Sequence, residues 1–153
     1  MTSIVLVQPE IPGNTGAVGR TCVALDMELI LIRPLGFDIS DKRVKRSGLD
    51  YWPHIRLVEF VNWEAFIAER APRDDQLFLF EEYAERSFYE PDYPADAYLV
   101  FGRETKGIPP EIVDAHRAQM VKLPMLSDKV RSLNLANTVA AAAYQAMRKH
   151  LPE

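Results

Sequence analysis

Four short runs, Ile4 to Val7, Leu29 to Ile32, Leu77 to Phe80 and Tyr98 to Phe101, are apolar or aromatic at every position. A strand with one wet face alternates in polarity, so unbroken runs of this length fit strands buried on both sides. Arg56 to Phe60 and Met120 to Leu123 read as further strands, for about six in all. Between them lie segments with helical spacing. Strands alternating with helices specify an α/β fold, a mostly parallel sheet with helices on both faces, in a single domain over residues 1–153.

The first 33 residues form a strand–helix–strand unit. Pro9 and Pro12 end the first strand, and a polar glycine turn from Gly13 opens a helix to Leu25, with Asn14 or Thr15 as its expected cap. Ala17, Thr21, Ala24 and Leu25 are expected to face inward, with Val18 and Cys22 beside them. Ser40 to Arg46 reads as a short basic helix capped by Ser40, with Gly48 just past its end. Asn62 caps a helix through Arg70, Pro109 begins one reaching Ala115, and residues 81–96 are irregular. The last helix is expected to start at an N-cap Ser132 and run through four alanines to about Lys149. Leu133, Ala136, Val139, Ala140, Ala143 and Met147 form its inward stripe.

Composition narrows the class. A chain that is 48% hydrophobic and 26% charged is typical of soluble globular proteins. One cysteine excludes a disulfide framework and a multi-cysteine metal site, and His54, His116 and His150 have no second ligand at useful spacing, so no metal is expected. Neither a signal peptide nor a membrane-length apolar segment is visible, which makes the cytoplasm the expected compartment and excludes a membrane partner. A net charge of −4 requires any nucleic-acid role to rest on a local patch.

Three polar loops follow buried strands: residues 9–20, 102–110 and 124–137. In an open parallel sheet, ligands bind beyond the carboxyl ends of the strands, so these loops are expected to converge on one site. Arg20, Arg103, Lys106, Lys129 and Arg131 lie on them, while Lys42, Arg43, Lys45 and Arg46 fall within five residues, with Tyr51 and Trp52 close behind. A basic mouth on an acidic protein suits a polyanionic substrate. Gly13, Gly16 and Gly19 invite a dinucleotide reading, but G-x-x-G-x-x-G is not the required G-x-G-x-x-G. Cys22 reads as packing. Adjacent Glu81 and Glu82 would point apart and make a poor acid–base pair.

Pro9-Glu-Ile-Pro-Gly-Asn-Thr-Gly-Ala-Val-Gly-Arg20, Phe101-Gly-Arg-Glu-Thr-Lys-Gly-Ile-Pro109 and Leu123-Pro-Met with Arg131-Ser-Leu-Asn-Leu-Ala-Asn137 together resemble the SPOUT superfamily of methyltransferases. The nearest likeness is to its small tRNA wobble-nucleotide 2′-O-methyltransferases, which Pro34-Leu-Gly-Phe37 and the 41–51 segment also resemble. The resemblance implies a C-terminal trefoil knot, S-adenosylmethionine as methyl donor, a tRNA anticodon stem-loop as substrate and a homodimer. Carried over by motif, it implies donor contacts at Phe80, Gly102, Leu123 and Ser132. Asn14, Glu104 and Asn134 would brace the loops, Arg20 would activate the ribose hydroxyl, and Lys42, Arg43, Lys45, Arg46 and Arg131 would meet phosphates. Arg103 stands where close relatives often carry proline, and the 127–130 loop is one residue longer than in such a relative. Alternatives of a different kind are a 2′-O-methyltransferase for another tRNA or rRNA position and a non-catalytic RNA-binding protein.

Overall fold

The computed structural model describes residues 1–46 and 50–153, so the expected stop at Gly48 lies outside the described residues. Six strands form one sheet: β1 (Ser3–Val7), β2 (Glu28–Ile32), β3 (Arg56–Phe60), β4 (Leu77–Phe80), β5 (Tyr98–Phe101) and β6 (Met120–Val121). Their order is β3-β2-β1-β5-β4-β6, and every paired neighbour is parallel. The strands therefore share one carboxyl edge, and the chain reverses its direction of winding between β1 and β5. That reversal is where an open α/β sheet leaves a crevice.

Both faces are covered, as apolar strand runs require. Ile4, Leu6, Leu31, Leu99 and Phe101 pack with Val18 and Cys22 of α1 (Pro12–Ala24) and with Val139, Ala142 and Ala143 of α5 (Leu135–Met147). On the opposite face Val5, Ile30, Leu79 and Val100 meet Phe66 of α3 (Trp63–Arg70) and Ile112 and Val113 of α4 (Pro110–Ala115). The small α5 side chains let that helix lie close to both the sheet and α1. No helix among the described residues is long and apolar enough to cross a membrane.

Asn62 caps α3 as its sequence context requires, its side chain accepting from the Ala65 amide. Other boundaries differ from expectation. The segment from Gly13 is no turn: α1 starts at Pro12, whose ring is compatible with the first helical turn and makes a side-chain cap from Asn14 or Thr15 unnecessary. Its buried face carries Thr15, Gly16, Val18, Gly19 and Cys22, whereas Ala17 and Thr21 are half-buried and Ala24 is exposed. A side chain at Gly16 would overlap the Val44 carbonyl of α2 (Lys42–Arg46), and one at Gly19 would meet Ile55. These glycines admit neighbouring chain, not a dinucleotide.

Ser40 precedes α2 without capping it; Asp41 accepts from the Arg43 amide instead. Pro109 stands just before α4, and β6 ends at Val121, after which Lys122 makes only an isolated bridge to Ser87. Ser132 does not cap α5. Asn134 does, accepting from the amides of Ala136 and Asn137. The buried α5 stripe is Val139, Ala142, Ala143 and Ala146, while Leu133 is exposed and Ala136, Ala140 and Met147 are half-buried.

Candidate functional site

A cleft of about 860 Å³ opens at the shared carboxyl edge, between the ends of β4 and β5 and the segment leading into α5. Its construction begins at Gln8. There the backbone takes φ of 54°, left-handed for a non-glycine residue, and turns the chain from β1 into the first loop. Such strain persists only where the surroundings hold it.

The Gln8 amide donates to the Ile32 carbonyl at 2.9 Å, and beyond it the loop is fastened by a reciprocal clasp. The Glu104 carboxylate accepts from the Glu10 amide at 2.8 Å and the Ile11 amide at 3.2 Å. The Glu10 carboxylate in turn accepts from the Thr105 amide at 3.0 Å and the Thr105 hydroxyl at 2.8 Å. These hydrogen bonds, led by the Thr105 amide, hold the Glu10 carboxyl below its ordinary range. Loops after β1 and β5 are thus fastened together. The third loop joins through Asn134, whose Nδ2 donates to the Asn14 side-chain oxygen at 3.1 Å while its own oxygen caps α5. Convergence of three distant segments is therefore a feature of the folded chain.

The wall after β5 is a tight hairpin in which Arg103 and Gly107 exchange backbone hydrogen bonds. Any Cβ at Gly102 would overlap the Gly107 and Ile108 backbone, and Gly107 sits at φ of 70°, so both positions require glycine. Behind this hairpin lies Glu81, only 5% exposed, whose carboxylate accepts from the Ile108 amide. Burial pushes its pKa up to about 7, opposed by that amide, raised further by Glu82 and lowered by Arg103.

Phe80, Gly102, Ser132, Asn14, Glu104, Asn134 and Arg131 all line the main cleft. Leu123 lines a smaller adjoining hollow with Phe80 and Ser132. Arg20 does not line either hollow within one chain. It lies on α1 six residues past Asn14, about 9 Å along the axis at 1.5 Å per residue. Its guanidinium is 5.7 Å from the Tyr51 ring centre, and the Tyr51 hydroxyl donates to the Gly16 carbonyl at 2.9 Å. Lys42, Arg43, Lys45 and Arg46 project from α2, which buries Val44 against α1; Arg43 is paired with Asp41 at 2.8 Å. Glu81 is the residue that sequence reasoning passed over. Its lone signal was position, directly after an apolar strand at the ligand-binding edge. Cys22 is buried, with its thiol pushed up to about 12, in keeping with packing.

Chemically, the cleft offers aromatic surface from Phe80 and Phe101, backbone groups of a fixed hairpin, and charges of both signs. That suits a ligand with a flat apolar part and a zwitterionic part. Comparison with known proteins agrees. The SpoU rRNA Methylase family matches residues 1–144. The tRNA (cytidine(34)-2′-O)-methyltransferase of Burkholderia cenocepacia (strain HI2424) is 41% identical over 150 residues, covering 97% of this chain and 96% of that protein. A solved structure concerned with 2-OH methylation of C/U34 on tRNA superposes with a TM-score of 0.90 at 45% identity, over 98% of this chain and 96% of the other. The SpoU methyltransferase AviRb from Streptomyces viridochromogenes, in complex with the cofactor AdoMet, superposes with a TM-score of 0.80 at 25% identity, over 97% of this chain and 60% of that one.

Proposed function

The chain belongs to the SpoU rRNA methylase family, and from that premise we propose that it moves a methyl group from S-adenosylmethionine to the ribose 2′-hydroxyl of nucleotide 34 in the tRNA anticodon loop. The observation that carries this reading is the clasped cleft: segments after β1, β5 and β6, tied by Glu10, Glu104, Thr105, Asn14 and Asn134, enclose one pocket. We take residues 1–153 as one catalytic domain acting in the cytoplasm.

The residues present fit the donor. Phe80, Gly102 and Ser132 border the cleft with Leu123 beside it, offering apolar faces for a purine and backbone groups for ribose and amino-acid atoms. Bound there, the sulfonium supplies an activated methyl group. The chain's own task is to hold the nucleotide and manage the proton leaving its 2′-oxygen. Arg20 is assigned that task. A guanidinium keeps its proton in proteins, so Arg20 serves by orienting the hydroxyl and an adjacent phosphate and by stabilising developing negative charge.

Because Arg20 stands outside its own chain's cleft, the assignment calls for a second copy or the bound RNA to bring it to the reacting oxygen. A homodimer built on the α5 side of the molecule is the reading supported by the exposed apolar residues Ile11, Leu133 and Tyr144. Lys42, Arg43, Lys45 and Arg46, with Arg131, are assigned to tRNA phosphates. The expected trefoil knot is taken up here as well, supported by α5 returning from the edge strand β6 to pack on α1 and β5.

The deciding experiment incubates the protein with S-adenosylmethionine labelled in its methyl group and tRNA, then maps 2′-O-methyl groups by mass spectrometry. Label is expected at nucleotide 34 and is expected to vanish when that ribose is 2′-deoxy. Label elsewhere, or none, overturns the assignment. Arg20→Ala is expected to lower turnover at least about 100-fold while donor affinity stays unchanged, because the guanidinium acts on the nucleotide and not on the donor.

A further inference from the structure

Among the acidic groups bordering the cleft, Glu81 stands apart. Glu104 spends its carboxylate on the amides of Glu10 and Ile11, and Glu82 is exposed. Glu81 is buried where the ends of β4 and β6 meet the hairpin, its amide donating to the Val121 carbonyl. It borders both the main cleft and the smaller hollow beside it. One carboxylate oxygen accepts from the Ile108 amide. The other has no hydrogen-bond partner among the described residues, and both oxygens lie against Gly107 at the wall of the cleft.

Among the described residues no cation is paired with it, although the charge of Arg103 is close enough to act on it. Arg103 on the hairpin turns its Nε to the Gly107 carbonyl at 3.1 Å. The remaining charged or titratable groups around the cleft are Glu82 and Tyr83 beside it on the chain, Glu104 and Lys106 on the hairpin, and Arg131 before α5. A largely buried carboxylate with one oxygen unbonded, at the wall of a cleft, favours a cation in the adjoining space, since charge interactions strengthen as water is excluded.

Resting on the methyl-transfer reading above, we propose that Glu81 is a specificity-determining residue of the cleft that favours the positively charged sulfonium donor over its neutral thioether product. Donor and product share the adenosyl group and amino-acid tail and differ at sulfur by one methyl and one positive charge. A negative wall bordering the cleft that holds the donor would recognise the difference, so that the spent cofactor leaves while fresh donor is retained. Arriving positive charge favours the ionised carboxylate, so donor binding near neutral pH expels a proton that product binding leaves in place.

Isothermal titration of the intact protein with S-adenosylmethionine and, separately, S-adenosylhomocysteine tests this. The measurements run between about pH 5.5 and 7.5, in buffers of differing ionisation enthalpy, across the range in which Glu81 titrates. Donor affinity is expected to rise with pH relative to product affinity, by on the order of tenfold over the range. Proton release is expected with donor and not with product. Glu81→Gln, which keeps an acceptor for Ile108, is expected to abolish both differences. A donor-to-product affinity ratio in the natural protein that is flat with pH, with equal proton release for both ligands, overturns the proposal without reliance on any variant. So does a Gln variant that weakens both ligands equally, because that outcome marks a merely structural contact. A natural protein that binds neither ligand overturns the methyl-transfer reading, and this inference with it.

Discussion

The cleft has two unlike walls. On one side stands the 102–108 hairpin, with its obligatory glycines, the Glu10–Glu104–Thr105 clasp and a buried carboxylate behind it. On the other, residues 124–133 carry Met125, Leu126, Val130 and Leu133 out into solvent, and the one side-chain hydrogen bond within the segment joins the Lys129 amide to the Ser127 hydroxyl. The first wall is built before any ligand arrives, which lowers the ordering cost of binding. The second carries Arg131 and Ser132, the groups assigned to phosphate and donor, on backbone with little to hold it. A fixed wall paired with an under-anchored one lets a small domain recognise a cofactor by shape and still admit a bulky polyanion.

The sharpest way to break that contrast is to spoil the rigid wall. Gly102→Val places side-chain atoms into the Gly107 and Ile108 backbone, which cannot yield as a flexible side chain would. A loss of about 3 kcal/mol in urea unfolding is expected, together with loss of donor binding. An unchanged unfolding midpoint would show that the hairpin is loose after all.

Glu81 comes next, and here pH is the lever. Its carboxyl titrates near 7 in the folded chain against an ordinary value of 4.5. Between those values the folded protein holds a proton that the unfolded chain has released, so stability falls as pH rises through the interval. At 1.4 kcal/mol per unit as an upper bound, discounted for relaxation, the loss is about 2 kcal/mol. Glu81→Gln is expected to remove that slope and to be the more stable protein above neutral pH. Parallel stability–pH curves for the two would refute the burial argument.

How far each wall was legible in the sequence follows the same division. The strand runs told of a covered parallel sheet, and that architecture alone brings the three loops to one edge. The clasp was half visible: the family resemblance pointed to Glu104 as a brace, but its exchange with Glu10 and Thr105 depends on two loops 94 residues apart. Glu81 was scarcely legible: its position after an apolar strand was the one hint, and its burial follows only from a later hairpin folding over it. The glycines of α1 misled for a related reason. Pro12 can begin a helix unaided, so the residues read as a turn became a helix face shaped to receive Val44. In choosing Ser132 over Asn134 as cap, local reasoning lacked the partner that decides it. Asn14 fixes the Asn134 amide group, leaving its oxygen free for Ala136 and Asn137.

Glu104→Ala sharpens the comparison at moderate cost. It strips the acceptor from two backbone amides while leaving Glu10 and Thr105 bonded. The bonds are charge-assisted but only partly shielded from water, so about 1.5 kcal/mol is expected, with Glu104→Gln recovering part of it. A double-mutant cycle with Glu10→Ala should show coupling, since both carboxylates hold the same pair of loops. Additive losses would mean that the two halves of the clasp act independently.

The smallest expected effect lies on the open wall. Leu126 is fully exposed in the isolated chain. Surface substitutions of this kind usually fall within about 0.5 kcal/mol of neutral, so Leu126→Ser should leave chemical unfolding of the dilute protein unchanged. It should also leave affinity for the donor unchanged, because Leu126 borders neither hollow. If instead the variant unfolds at distinctly lower denaturant, and more so on dilution, then Leu126 is buried against a second copy. The segment would then be anchored between chains rather than within one, and the contrast between the walls would belong to the monomer alone.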